Sequence, residues 1–107
     1  MAIDLRGADF LPYMHTQASL PSTTITEIKY PKDVNQVTIG SETHKLYVYQ
    51  SGATDGQTIG TVSGGKMFIP AGNVLAIKVG RGGTRANSLY VIADSATPTI
   101  HIMIEEY

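Results

Sequence analysis

The sequence contains no cysteine and no tryptophan, and only 16% of its 107 residues are charged. Without cysteine, the chain can form no disulfide, no thiolate metal site and no cysteine nucleophile. An ordinary soluble domain carries about 25% charged residues. Threonine, serine, glycine and asparagine fill the deficit, which predicts a β protein whose faces or edges meet other subunits.

An excess of charge of one sign is also missing. Eight lysines and arginines stand against nine acids, so the net charge is −1. No basic field exists to gather nucleic acid or anionic lipid, and we predict neither as a partner. Apolar runs stay far below the ~20 residues of a membrane span. The start MAIDLRGADF lacks the features of a signal peptide, so we expect a protein made in the cytoplasm and not secreted.

What the sequence does contain is a series of short β-prone runs. From Thr23 onward these runs recur roughly every 8–12 residues, separated by glycine, proline, asparagine and aspartate. No amphipathic stretch is long enough to predict a helix. We therefore predict an all-β fold of about eight short antiparallel strands, as a β-sandwich or a jelly-roll-like barrel. The predicted strands cover residues 23–30, 36–39, 45–50, 58–62, 66–69, 74–80, 89–93 and 99–106.

Residues 45–70 predict three of these strands in a row. An Asp55-Gly56 pair between β-prone runs indicates a hairpin, because a type I′ turn needs positive φ at both central residues. In the first of the strands, Tyr47 and Tyr49 share one face. Two tyrosines on one face suit either a protein interface or a half-buried sheet face, and the sequence leaves both open.

The first 22 residues differ from the rest. Their apolar residues follow neither helical spacing nor strand alternation, and glycine and proline interrupt them. We predict an extended N-terminal arm at 1–22, followed by a β-sandwich domain at 23–107. Such a segment packs along its own domain, stays disordered, or reaches a neighbouring subunit. In the last case the predicted anchors are Phe10, Leu11, Tyr13 and Met14.

No pattern of catalytic or metal-binding residues occurs. His15, His44 and His101 stand far apart, with no carboxylate motif beside them. No G-x-S-x-G element indicates a serine nucleophile, and Asp55 stands alone where a calcium loop needs several oxygen ligands. We therefore predict no enzymatic activity, no catalytic residue, no metal and no cofactor.

The stretch GRGGTR at residues 80–85 is glycine-rich and basic. Arg81 and Arg85 could contact RNA or phosphate, since glycine allows close approach and arginine donates two hydrogen bonds. The same stretch also suits a hairpin loop whose arginines face water. The net charge and the lack of an aromatic series favour the loop. A contact of either arginine with an acidic protein surface is the intermediate interpretation.

Four stretches together carry a family resemblance: GATDGQTIGT at 52–61, FIPAG at 68–72, LYVIA at 89–93 and IHIMIEE at 100–106. In this order they resemble the small β-rich structural proteins of tailed bacteriophage virions. The resemblance covers about residues 37–106 and leaves out the first 22. Its motifs are those of turns and strands, and the family pattern marks no catalytic residue.

The resemblance implies a non-enzymatic virion component. We expect a capsid decoration or cement protein that docks on the major capsid protein, or on another virion protein, and stabilises the head. It also implies a homo-oligomer, with a trimer favoured because trimers are common among decoration proteins. The alternative is a carbohydrate- or receptor-binding module of a phage tail or fibre. Tyr47 and Tyr49 motivate that alternative, because tyrosine rings can stack on sugars.

Overall fold

The computed structural model describes residues 1–79 and 87–106. The described strands are β1 (Ala2–Asp4), β2 (Tyr13–Gln17), β3 (Thr26–Lys29), β4 (Gln36–Gly40), β5 (Leu46–Tyr49), β6 (Lys66–Ile69), β7 (Val74–Lys78), β8 (Ser88–Ala93) and β9 (Ile100–Glu105). Within the described ranges, no helix is long and apolar enough to cross a membrane.

The strands form two sheets. One has five strands in the order β1-β3-β8-β5-β6, and the other has four in the order β2-β9-β4-β7. Among the described pairs, β1 and β3 run parallel and the others run antiparallel. One core holds buried side chains of both sheets, such as Ile28 and Val91 of the first and Val37 and Ile102 of the second. The predicted all-β, sandwich-like class is confirmed, whereas the jelly-roll-like barrel stays a prediction.

Strand β9 shows how the alternating pattern builds this core. Ile100, Ile102 and Ile104 are fully or nearly fully buried, while His101 on the opposite face is exposed. Side chains alternate between the faces of a strand, so the three isoleucines all point towards the five-stranded sheet. β9 pairs with β2 on one side and β4 on the other, as expected of a strand too apolar to be left as an edge.

The predicted strand at residues 58–62 does not form. Residues 50–65 instead cross the outer face of the five-stranded sheet, where Thr58 makes an isolated bridge with Thr24. The amide of Ile25 donates to the carbonyl of Gln57 at 2.8 Å, and the amide of Gly56 donates to the carbonyl of Ile25 at 2.7 Å. The segment therefore pairs with the chain that enters β3, and β5 takes β6 as its antiparallel neighbour.

A tight turn forms at Asp55-Gly56, as predicted, with the amide of Gln57 donating to the carbonyl of Thr54 at 3.1 Å, but the predicted type I′ geometry is wrong. Gly56 has a φ of +80°, but Asp55 is not among the described residues with positive φ. The Asp55 carboxylate accepts a hydrogen bond from the amide of Glu27 at 2.9 Å and lies 3.4 Å from the amino group of Met1. These contacts to distant parts of the chain hold Asp55 beside the N-terminus and the start of β3.

The first 17 residues contribute one strand to each sheet. β1 pairs with β3 in the five-stranded sheet, and β2 pairs with β9 in the four-stranded sheet. Residues 5–12 connect them and include a cis Leu11–Pro12 bond. Ile3 and Leu5 are buried in the main core. We call residues 1–17 the N-terminal strap. It packs along its own domain, one of the alternatives left open above, and its docking on a neighbour stays a prediction.

Candidate interaction surface

Strands β6 and β7 form one lateral side of the sandwich. Each is the edge strand of its sheet, and residues 70–73 join them through a turn in which the amide of Asn73 donates to the carbonyl of Pro70. We call these two strands and their turn the β6–β7 side. Large apolar side chains are exposed there, with Met67 at 62%, Phe68 at 59% and Val74 at 69% of their accessible area. Among the described residues no strand lies beyond β6 or β7, and an exposed strand edge is a template for pairing with another chain.

On the outer face of the sheet, β6 and the neighbouring β5 carry aromatic rings and lysines. Phe68 lies opposite Tyr47 of β5 in the sheet register. The Lys66 ammonium lies 4.5 Å from the centroid of the Tyr47 ring, and the Lys45 ammonium lies 5.4 Å from the same centroid. Lys45 is also 5.7 Å from the Phe68 ring. These distances fall in the cation–π range. We call these four residues the lysine–aromatic cluster.

In the described part of the chain the lysines of this cluster form no ion pair, although Asp94 neighbours Lys45 across the sheet and its amide donates to the Lys45 carbonyl at 3.0 Å. The described ion pairs join the Met1 amino group to Asp55 and Arg6 to Asp4. Two positive charges therefore stand next to exposed apolar surface at the edge of the sheet, an arrangement that attracts carboxylates.

The structure separates the two tyrosines proposed from the sequence. They share the outer face of β5, as predicted, but Tyr49 is only 3% exposed. It packs with Ala53 and Ile92 in a small second core beneath residues 50–65. Tyr47 is half-buried at the margin of that core and reaches the surface. A partner can therefore contact Tyr47 but not Tyr49 while residues 50–65 stay in place.

The proposed N-terminal anchors lie on the opposite lateral side. Phe10 and Met14 are 83% and 77% exposed, and Tyr13 is partly exposed. Leu11 instead packs against the main core. Phe10 and Tyr13 also line a cavity of about 440 Å³ between β1 and β2. These side chains are thus grouped on the strap, but the sheet orders place them across the molecule from Tyr47.

An ion pair holds the strap connection where it leaves β1. The guanidinium of Arg6 donates to the Asp4 carboxylate at 2.8 and 2.6 Å, and the Arg6 amide donates to the same carboxylate at 3.1 Å. These hydrogen bonds hold the pKa of the Asp4 carboxyl well below its ordinary value. Elsewhere, burial raises the pKa of the Tyr30 and Tyr90 hydroxyls.

The arginines and histidines considered in the sequence do not form a common site among the described residues. Arg81 and Arg85 lie outside the described residues. The histidines contact different neighbours, since His15 meets Gln17, His44 meets Thr43 and His101 meets Thr16. Within residues 1–79 and 87–106, no group of three or more metal-ligating side chains could hold a metal ion.

Sequence reasoning missed Lys45, Lys66, Met67 and Phe68 as surface residues. Around these residues the sequence shows only β propensity. It does not show that β6 is an edge strand, because the place of a strand in a sheet depends on distant partners. No family model, no curated protein and no solved structure matches the chain.

Proposed function

We propose that the chain is a non-enzymatic structural protein of a bacteriophage virion, a capsid decoration or cement protein that docks on the major capsid protein or on another virion protein. One observation supports the docking: Met67, Phe68 and Val74 are exposed on β6 and β7, which are the adjacent edge strands of the two sheets in the described part of the chain. Such an edge is an aggregation hazard for a free protein, and it suits a subunit whose edge is covered in an assembly.

The second exposed group supports a role in a lattice. Phe10, Tyr13 and Met14 lie on the strap, and the β6–β7 side lies across the sandwich. A domain with contact surfaces on opposite sides can bridge two neighbours, and repeated weak contacts add up through multivalency. Self-association into a homo-oligomer, with a trimer favoured by the family resemblance, uses the same two surfaces.

Binding to virus particles tests this proposal. Mass spectrometry of purified phage particles should detect the chain at a fixed ratio to the major capsid protein. Particles that lack the chain should bind the purified protein saturably. The double variant Met67→Thr/Phe68→Thr should bind at least about tenfold more weakly, because it removes apolar contact area. Ile59→Thr is the control, since Ile59 is partly exposed and its amide donates to the carbonyl of Thr23, beside the chain that enters β3. Absence from particles, together with no rebinding, would refute the proposal.

A carbohydrate- or receptor-binding module is the second candidate. The neighbouring rings of Tyr47 and Phe68 favour it, because exposed aromatic rings stack on sugars. The Lys66 ammonium over the Tyr47 ring competes for that position. A glycan array and a cell-adsorption assay, each with the wild type and with Tyr47→Ala, distinguish the candidates. A glycan signal that disappears in Tyr47→Ala supports carbohydrate binding, and no signal from the wild type rejects it.

A further inference from the structure

We propose that β6 is a docking edge for an acidic extended segment of a partner protein, which adds to the five-stranded sheet as a sixth strand. This inference deepens the proposed function and rests on it, because it assigns the docking to one strand and names the chemistry of the partner. Three features of the edge lead to it: a backbone with no strand beyond it among the described residues, its alternating faces and two lysines that form no ion pair.

On the side of β6 that faces away from β5, the described residues provide no backbone partner. β6 pairs with β5 and has no strand beyond it in the described part of the chain. None of the described turn and loop hydrogen bonds of the backbone involves residues 66–69. In an antiparallel pair, the amides and carbonyls of alternate residues point away from the partner strand. These outward groups can bond an added strand, as in β-augmentation.

The side chains of β6 define what an added strand should carry. Lys66 and Phe68 lie on the outer face with Tyr47, whereas Met67 lies on the inner face opposite Val48. Adjacent strands bring side chains of the same face together. Alternate residues of the added strand therefore lie beside the lysine–aromatic cluster, and the residues between them lie beside Met67. An acidic residue alternating with an apolar one fits both faces.

The charge of the cluster selects an acidic partner over a second copy of β6. Lys45 and Lys66 hold their ammonium groups over the rings at 4.5 to 5.7 Å, without an ion pair among the described residues. Pairing two copies of β6 in one continuous sheet would place four of these ammonium groups on the same face. Like charges on neighbouring strands are destabilising, whereas opposite charges stabilise a cross-strand pair.

A capped eight-residue peptide in which glutamate alternates with valine is the direct probe, and isothermal titration calorimetry measures its binding. We expect saturable binding that weakens with added salt, because surface charge pairs are screened. Lys45→Glu/Lys66→Glu should weaken binding by at least about tenfold. The control Lys29→Glu/Lys32→Glu changes the net charge equally at β3 and just after it, and should bind like the wild type. Equal binding by both double variants, or equal binding of a lysine–valine peptide, would overturn the acidic preference.

Two further peptides test strand addition itself. Each carries N-methyl groups on alternate amides, one on the odd and the other on the even positions. Only one set of amides faces β6 in an added strand. One peptide should therefore lose binding and the other should retain it. If both bind equally, the contact runs through side chains alone and strand addition is wrong.

The outcomes for this edge differ from those for the proposed function. If particles bind the wild type and Lys45→Glu/Lys66→Glu equally, and the peptide does not bind, the edge inference fails while the virion role stands. If the peptide binds as expected but particles do not bind the protein, the virion role fails and the edge stands. A dimer in light scattering that Met67→Thr/Phe68→Thr abolishes, without peptide binding, would assign β6 to a second copy.

Discussion

The two lateral sides of the sandwich can be compared directly. On one side, β1 and β2 contribute one edge strand to each sheet, and on the other side β6 and β7 do the same. The strap buries Ile3 and Leu5 in the core. The β6–β7 side buries Ile69 but leaves Met67 largely exposed.

The connections explain the difference. Residues 5–12 form the longer link, and Leu5, Ala8 and Leu11 within it pack into or against the core. The link at residues 70–73 is a tight turn of exposed residues, so it adds no apolar side chain to the core. The long connection adds apolar side chains to the core, although Phe10 and Met14 of the strap stay exposed, and the short connection adds none. The β6–β7 side is thus where a partner can add apolar contact to a strand edge without disturbing the fold.

The largest expected effect is the loss of a strap anchor. Leu5→Ala should lower the free energy of unfolding by about 2–5 kcal/mol, because it removes a buried side chain and leaves a cavity. Met67→Ala, on the exposed edge, should cost less than about 1 kcal/mol. Urea unfolding followed by circular dichroism measures both. If both variants lose the same free energy of unfolding, the exposed edge stabilises the domain as much as the strap does, contrary to the difference described above.

The second effect concerns how closely each connection packs against a neighbouring glycine or at its own glycine. A Cβ added at Gly40 would lie 2.3 Å from the carbonyl oxygen of Asn73, within the β6–β7 turn. Gly40→Ala should therefore lower stability by about 1–3 kcal/mol through overpacking. Gly7, in the strap connection, has nothing within 4 Å of such a Cβ and no positive φ.

Gly7→Ala is the matched control for that change. It should be neutral or stabilising by up to about 1 kcal/mol, because it restricts the unfolded chain. Thermal unfolding of the two variants measures the contrast. A Gly40→Ala protein as stable as Gly7→Ala would show that the β6–β7 turn is loosely held.

The parts of the fold with strong local patterns could be predicted from the sequence. The alternation of Ile100, Ile102 and Ile104 in β9, and of two tyrosines in β5, depends only on neighbouring residues. β1 and β2 could not be predicted, because Ala2–Asp4 and Tyr13–Gln17 show little alternation and become strands by pairing with distant ones.

The candidate surface was predictable only in part, for the same reason. The tyrosine face of β5 follows from alternation, but residues 50–65 bury Tyr49 through hydrogen bonds to the chain before β3. An Asp-Gly pair predicts a hairpin only if the residues on either side of it pair with each other. Here Asp55 binds the amide of Glu27 and lies near the amino group of Met1, contacts that no short-range pattern contains.

A smaller effect follows from the ion pair in the strap. Arg6 lowers the pKa of the Asp4 carboxyl in the folded protein below its ordinary 3.8. The pair therefore stabilises the fold above that ordinary value, and this contribution is lost as the pH falls towards the lowered folded value. Asp4→Asn should be slightly less stable than the wild type at pH 7, with a gap that narrows below pH 3.8.

Urea midpoints at pH 7, 3 and 2 measure this gap. Arg6→Gln removes the same pair and should show the same narrowing. Because the pair is exposed, its effect should be smaller than that of Leu5→Ala or Gly40→Ala. A gap that widens in acid would contradict the lowered pKa.

The smallest effect is expected on the β6–β7 side. Val74→Thr keeps the shape and the β-branching of a side chain that is 69% exposed, so it should change the free energy of unfolding by less than about 0.5 kcal/mol. Val37→Thr makes the same chemical change at a fully buried position of β4 and should cost about 1–3 kcal/mol, because it buries a hydroxyl. Chemical denaturation of the two variants compares them within one sheet. If Val74→Thr lowers the free energy of unfolding as much as Val37→Thr does, the exposed side chains of the β6–β7 side stabilise the isolated domain. Their exposure would then not indicate a surface for a partner.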